Sequence, residues 1–239
     1  MSVAIVTGAS RGLGQALATG LAGAGWSLVI DGRDPETLQA SAALIRSRAA
    51  EGARVVAVPG DITDEDHRHD LTAAAFELGG LDLVVNNAGT LGASPLPLLS
   101  DYPLGDLRVA FEVNVVAPLG LIQDALPLLL DSERPRLVNI TSDAAIEAYE
   151  GWGGYGAGKA ALEHLGAVLA AEFPGLTVWS VDPGDLRTVM HQAAFPGEDI
   201  SDRPEPGTVV PAFVRLITER LPSGRYRAAH LMPREPVSS

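Results

Sequence analysis

At 239 residues, 46% of them hydrophobic, this chain has the length and apolar content of one large α/β domain rather than two small ones. It contains no cysteine, which excludes disulfides, thiolate catalysis and cysteine-ligated metals. A net charge of −13, dispersed without a block of like sign, argues against nucleic acid, anionic membrane surfaces and acidic carrier proteins as partners.

The opening Met1-Ser-Val-Ala-Ile-Val-Thr7 carries no basic leader and reads as a strand over 3–7, not as a signal peptide. Further strand-like apolar runs are expected at 27–30, 54–58, 81–86, 136–141 and 176–181. Helical patterns separate them at 12–18, 35–50, 64–78, 103–129 and 153–172. Such βαβ alternation points to a doubly wound parallel sheet with helices on both faces. The strands are nearly all apolar, as expected when both faces are covered. No repeat or linker divides the chain, so 1–239 is expected to be a single domain. Residues 183–207 break the rhythm: they are polar, carry four prolines and are expected to form a substrate-binding loop. A helix near 208–220 and a strand near 225–230 close the chain. No run approaches the roughly 18 consecutive apolar residues of a membrane span, so the expected compartment is the cytoplasm.

Two local patterns carry chemistry. The first strand runs into Thr7-Gly8-Ala9-Ser10-Arg11-Gly12-Leu13-Gly14, directly before a helix. Glycines there allow a tight turn and close approach of a pyrophosphate, which the unpaired N–H groups of a helix N-terminus favour. The spacing is not the common Gly-x-Gly-x-x-Gly of dinucleotide sites, since the third position after Gly12 and Gly14 is Leu17. The second pattern is Tyr155-Gly-Ala-Gly-Lys159, which holds the one lysine among the 17 Lys+Arg. Tyr155 and Lys159 share a helix face. An ammonium beside a phenol favours the phenolate, so Lys159 is expected to pull the Tyr155 pKa down from about 10 toward neutrality. Arginine cannot be tuned in that way. The i, i+4 spacing is common on exposed helices, so the pair gains meaning only from its company.

That company resembles the classical short-chain dehydrogenase/reductase family over nearly the whole chain. Thr7-Gly8-x3-Gly12-x-Gly14 matches the family's cofactor turn, and Asp61 in Gly60-Asp61-Ile62-Thr63 matches the residue that contacts the adenine. Asn86-Asn87-Ala88-Gly89 matches the motif that stabilises the central sheet and lines the cofactor. Asn114, Ser142, Tyr155 and Lys159 match the catalytic tetrad, with Ser142 thirteen positions before Tyr155 (155 − 142 = 13), and Pro183-Gly184 with Thr188 matches the segment that holds the nicotinamide amide. The resemblance implies a Rossmann-type fold and an NAD(P)-dependent oxidoreductase without a metal. In it Tyr155 exchanges a proton with the substrate oxygen. Ser142 polarises the carbonyl. Lys159 lowers the phenol pKa and holds the nicotinamide ribose, and Asn114 holds a water that links Lys159 to solvent. Cofactor contacts would come from Thr7, Gly8, Ser10, Arg11, Gly12, Leu13, Gly14, Arg33, Asp61, Ile62, Asn87, Ala88, Gly89, Tyr155, Lys159, Pro183, Gly184 and Thr188.

In the family the acid that selects NAD stands where this chain has Gly32. Gly32-Arg33, with Arg11, favours NADP(H) over NAD(H), because an arginine accommodates a 2′-phosphate. Asp31 lies one residue early and either repels that phosphate or turns away from it. Family analogy puts the substrate near Leu91, Ile146, Tyr149, Trp152, His191 and Phe195, with Asp143, Glu147, Glu150 and Asp185 among them. That mixture suits a small neutral or cationic, partly apolar carbonyl or alcohol. The leading expectation is an NADPH-dependent ketone or aldehyde reductase. The alternatives are an NAD-dependent secondary-alcohol dehydrogenase and a non-catalytic NADP sensor on the same fold. His67 and His69 are expected on a helix surface rather than around a metal. The family's Val-Asp-Gly-Gly ending is missing, which favours a homodimer through the helices bearing Asn114 and Tyr155 over a homotetramer.

Overall fold

The all-apolar strands serve two cores by simple alternation. In strand β1 (Val3–Val6), Ala4 and Val6 point to one face of the sheet and Val3 and Ile5 to the other. β2 (Ser27–Gly32) sends Leu28 and Ile30 one way and Val29 the other. The structure, a computed structural model, describes residues 2–232; the expected tail at 233–239 lies outside them. β3 (Val55–Pro59), β4 (Leu83–Asn86), β5 (Arg136–Ile140), β6 (Thr177–Asp182) and β7 (Gly224–Arg227) complete a seven-stranded sheet of order β3-β2-β1-β4-β5-β6-β7. Every pairing in it is parallel. The direction of winding reverses between β1 and β4, and the crevice outside the carboxyl ends of those strands is where such sheets take ligands.

Helices α1 (Gly12–Gly23) and α2 (Pro35–Arg48) cover one face. Helix α3 (Glu65–Leu78) covers the other, with the helical run that follows β4 and the helix before β6. Local chemistry sets several ends. The Asp34 carboxylate accepts from Thr37 N at 2.8 Å, with Pro35 at the first helical position, and so starts α2. α3 stops at Gly79, whose φ of 113° lies in the left-handed region.

Four expectations change. α1 runs to Gly23 rather than 18, because Leu17, Ala18, Leu21 and Ala22 continue its buried stripe past the glycines. The expected helix at 103–129 is α4 (Leu104–Phe111), a π turn (Glu112–Val116) and α5 (Ala117–Leu130). That run, Leu104–Leu130, contains an 18-residue window with a mean hydropathy of 1.6 and by length and composition alone is enough to cross a membrane. Its Leu121, Ile122, Ala125 and Leu129 are instead buried in the core. After α6 (Gly153–Glu172), the 183–207 connection contains a short helix, α7 (Val189–Ala194). Finally, α8 (Val210–Glu219) leads to β7, which ends at Arg227 and not at 230. Residues Ala228–Leu231 coil into a last helical turn, α9, that buries Ala228 and Leu231.

The edge strand is held by one indole. Trp179 in β6 is fully buried, and its Nε1 donates to Leu221 O at 2.9 Å and Pro222 O at 3.1 Å in the α8–β7 turn. Trp179→Phe removes both bonds and leaves space; urea unfolding is expected to show a loss of about 2–3 kcal/mol.

Candidate active site

The glycine turn leaves β1 and is built as a cradle. Gly8 and Gly12 have φ of 65° and 61°, which residues with side chains rarely adopt. A Cβ at Gly14 would collide with the Gly8 carbonyl oxygen and the Asn87 amide. That amide fixes the turn: Asn87 Nδ2 donates to Thr7 O at 2.7 Å and Gly8 O at 3.2 Å. Thr7 Oγ1 in return accepts from Asn87 N and Ala88 N, each at 3.0 Å. One strand over, buried Asn86 donates to Asn139 Oδ1 at 2.9 Å and locks β4 to β5. α1 begins at this cradle with no side-chain cap and no acid in its first turn, so its N–H groups and dipole suit a phosphate.

Asp31 faces inward. It is 2% exposed, one oxygen accepts from Gly8 N at 2.5 Å, and the other lies 3.2 Å from His67 Nε2. Held in this way, it braces the glycine turn. His67 corrects the expectation of a surface histidine: it is buried, while His69 is exposed. The signal was present, since His67 begins the stripe His67, Leu71, Ala75, Leu78 that buries α3. A Cβ at Gly32 would lie 3.0 Å from Ser10 Cβ, so a side chain at position 32 would need Ser10 to shift by a few tenths of an ångström. Arg11 and Arg33 are exposed, and among the described residues their guanidinium groups have no hydrogen-bond or ion-pair partner. Asp61 accepts from Thr63 N at 3.0 Å and Thr63 Oγ1 at 2.8 Å. Its carboxyl sits below the ordinary carboxylate range, first through the Thr63 backbone bond and then through the Thr63 hydroxyl, with smaller help from the Arg33 charge. Ile62 beside it is buried. These residues fit a dinucleotide: a side-chain-free cradle, a bare helix start and two unpaired cations.

The tetrad converges beside this cradle, at the end of β5. Lys159 is 3% exposed and donates to Ile140 O at 2.8 Å, with Nζ 5.6 Å from the centre of the Tyr155 ring. A Cβ at Gly89 would lie 3.1 Å from Asn114 Oδ1 and 3.6 Å from Lys159 Nζ, which puts both side chains against the cofactor-side loop. Asn114, fully buried in the π turn, accepts from Thr90 N at 2.9 Å and donates to Thr90 O at 2.8 Å. Such π turns occur often at functional sites. Ser142 Oγ donates to Asp143 Oδ1 at 2.9 Å and accepts from Ala144 N at 3.2 Å. Tyr155 packs against Ala144, Leu91, Trp152 and Phe195.

The electrostatics differ from the expectation. Burial pushes the Tyr155 phenol well above its usual range, and the charges of Asp182 and Asp143 add to this. Burial also pulls Lys159 down, to about 8. Lys159 therefore does not lower the phenol pKa in this structure: its ammonium is spent on the Ile140 carbonyl, and desolvation favours the neutral form of both groups.

Of the substrate-side candidates, Trp152 meets Tyr155 edge-on with ring centres 5.7 Å apart, and Phe195 meets Trp152 at 5.9 Å and His191 at 4.9 Å in tilted contacts. Leu91 is buried in the same cluster. Ile146, Tyr149, Glu150 and Asp185 are exposed at its rim. Tyr149 donates to Glu147 at 2.8 Å and Asp143 at 3.1 Å. Pro183 and Gly184 follow β6, with Gly184 N bonded to Asp182 Oδ1 at 2.9 Å. Thr188 faces the glycine turn, 3.6 Å from where a Gly12 Cβ would stand. An open cavity of about 430 Å³ lies behind Thr188, lined by Arg187, Gln192 and Ile200. Sequence reasoning missed His67, Asp182, Glu163 and Arg225 as part of this neighbourhood.

Comparison with known proteins places this geometry in context. The family model described as short chain dehydrogenase matches residues 2–199. An uncharacterized oxidoreductase of Staphylococcus aureus strain MW2 is 32% identical over 222 residues, covering 91% of each chain. The 1-deoxy-11-beta-hydroxypentalenate dehydrogenase of Streptomyces avermitilis is 38% identical over 193 residues, 79% of this chain and 70% of that protein. The structure of a Shigella flexneri short chain dehydrogenase complexed with NADP superposes with a TM-score of 0.86 at 30% identity, covering 95% of this chain and 97% of that one.

Gly14→Ala tests the cradle. The added methyl has to displace the Gly8 carbonyl, so NADPH titration followed by fluorescence is expected to show affinity falling about tenfold or more while the far-ultraviolet circular dichroism stays native.

Proposed function

The chain belongs to the short-chain dehydrogenase family, and from that premise we propose that this NAD(P)-dependent oxidoreductase is an NADPH-dependent reductase of small, partly apolar ketones or aldehydes. The observation that carries the reading is the convergence of buried Tyr155 and Lys159 with Ser142 and Asn114 beside the glycine cradle. The nicotinamide, when bound, supplies the hydride. Thr7, Gly8, Ser10, Gly12, Leu13 and Gly14 would hold its pyrophosphate end, with Asp61, Ile62, Asn87, Ala88 and Gly89 along the adenine and sheet side. Pro183, Gly184 and Thr188 would hold the amide.

Tyr155 keeps its proton at neutral pH because burial raises its pKa, which suits the acid in a reduction. It delivers that proton to the carbonyl oxygen as charge develops there. Ser142 Oγ, one rotation away from Asp143, donates to the same oxygen and stabilises the charge. Lys159 remains an ammonium below about pH 8 and supports the departing phenol proton and the nicotinamide ribose. Asn114, held by both Thr90 backbone bonds, fixes the wall beside Lys159, where a water would complete the proton path.

The preference for the 2′-phosphate rests on three features. Arg11 and Arg33 are unpaired and exposed, position 32 carries no acid, and Asp31 is taken up by Gly8 N and His67. The NADP complex of the Shigella relative agrees with it. The Leu91, Trp152 and Phe195 wall supports an apolar or aromatic carbonyl, and the acidic rim of Glu147, Glu150 and Asp185 disfavours anionic substrates. Exposed Leu104, Val109, Val116 and Val168 on α4, the π turn and α6 support a homodimer through those helices. A cytoplasmic, membrane-free setting agrees with the burial of the α5 stripe Leu121, Ile122, Ala125 and Leu129 in the core.

A panel of ketones, aldehydes and secondary alcohols assayed with NADPH and NADH tests the reading; faster turnover with NADH would contradict the cofactor assignment. With the best carbonyl of the panel, Tyr155→Phe is expected to lower kcat by about 10²–10⁴-fold while NADPH still binds. The rate of reduction is expected to fall above about pH 8 as Lys159 loses its proton. In Lys159→Arg the overall rate is expected to be lower, and that alkaline limb is expected to vanish, because a guanidinium stays charged there. A pH–rate profile of both proteins checks this.

A further inference from the structure

We propose that Arg225, on the last strand, is a positioning residue that holds the Ser142 turn in register with α6 and so with Tyr155; its catalytic consequence rests on the reductase reading above. The register Ser180↔Arg225 and Asp182↔Arg227 puts both arginines on one face of β7, with Tyr226 on the other. The Arg225 side chain reaches back over β6 to the end of β5. Its Nη2 donates to the Ser142 carbonyl at 3.0 Å, its Nε donates to Glu163 Oε1 at 3.0 Å, and Nη2 lies 3.5 Å from Asp182 Oδ2. Glu163 follows Lys159 by four residues and Tyr155 by eight, on the same face of α6. The same Glu163 oxygen accepts from Thr141 Oγ1 at 2.6 Å. The strand end Thr141-Ser142 is therefore tied to the catalytic helix twice, once directly and once through the guanidinium.

Arg227 braces the far end of the same turn. It donates to Glu147 Oε1 at 2.7 Å and lies 3.6 Å from Asp182 Oδ2. Any cation would answer the Glu163 and Asp182 charges, but the guanidinium meets the carboxylate and the Ser142 carbonyl with donors on two separate nitrogens held in one plane, a span that a lysine has to cover from a single nitrogen. The carbonyl it chooses belongs to the residue whose hydroxyl must meet the substrate oxygen. Catalytic groups have to be held within about 0.5 Å, and a displacement of about 1 Å costs on the order of a hundredfold in rate.

Arg225→Lys keeps the charge and loses the fork; Arg225→Met loses both, leaving Glu163 without its cation and Asp182 with Arg227 alone. Both variants and the wild type are assayed for kcat with the best carbonyl of the panel, for NADPH affinity by fluorescence, and for amide hydrogen exchange along the full chain. In Arg225→Lys the expected result is a fall in kcat of about tenfold or more with unchanged NADPH affinity. Faster exchange is expected to be confined to residues 141–147, with Arg225→Met lower still in kcat. Wild-type kcat in Arg225→Lys would overturn the proposal. So would a parallel loss of NADPH affinity with exchange rising across the whole sheet, which marks a purely structural ion pair. If the wild-type protein reduces nothing in the panel, the reductase reading fails on its own; unchanged protection of 141–147 in Arg225→Lys then overturns the clamp, and loosening confined to that segment supports it.

Discussion

One buried ammonium organises this molecule. Lys159 is almost wholly withdrawn from water, and it donates to a backbone carbonyl at the end of β5. Burying a charge without a counter-ion is costly, so the elements around it must pack closely and keep polar atoms within reach. The glycines of α6 make this possible. A Cβ at Gly154 would strike the Tyr102 ring, one at Gly156 the Ala144 carbonyl, and one at Gly166 would come 2.8 Å from Asn139 Nδ2. These close approaches let α6 pack tightly against its neighbours and carry Tyr155, Lys159 and Glu163 to the end of β5. The π turn at Glu112–Val116 brings Asn114 to the same spot from the other side.

The second consequence is electrostatic. Desolvation moves Tyr155 up and Lys159 down, and Asp182 and Asp143 push Tyr155 the same way. The resting site thus holds a protonated phenol and a readily titrated ammonium, which is the state a reduction starts from. Counter-charge is kept at a distance and in order. Asp182 and Glu163 are answered by Arg225, and Asp182 also by Arg227, from the edge strand. Asp31 is taken up by Gly8 N and His67 beneath the nucleotide cradle. Asp31, Glu163 and Asp182 thus each have an internal partner, whereas Arg11 and Arg33 beside the cradle face outward without one.

Much of this could be read from residue order. Alternating apolar runs and helical patterns gave the parallel sheet, because each strand feeds two cores and so has no polar face to confuse the period. The motif residues landed together because they sit at strand ends and helix starts, where position along the chain and position in space coincide. What escaped were effects of depth and of distant pairing. His67 and His69 look alike in sequence, yet a turn of 100° per residue puts one in the core and the other in water. The π turn has no propensity signature, yet it is what presents Asn114 to the Thr90 backbone. The expected drop in the Tyr155 pKa assumed that proximity of charge outweighs desolvation; at this burial desolvation wins. Arg225 lies 83 residues beyond Ser142 in the chain, and only the β6–β7 register brings them together.

Because the chain has one lysine, the central claim is open to a direct reading. Protein labelled with ¹³C and ¹⁵N in lysine alone gives one side-chain resonance, which can be followed by NMR from pH 6 to pH 11. A buried Lys159 that anchors the site titrates near 8. A midpoint near 10.5, the ordinary lysine value, would mean the ammonium is in water and would contradict the account.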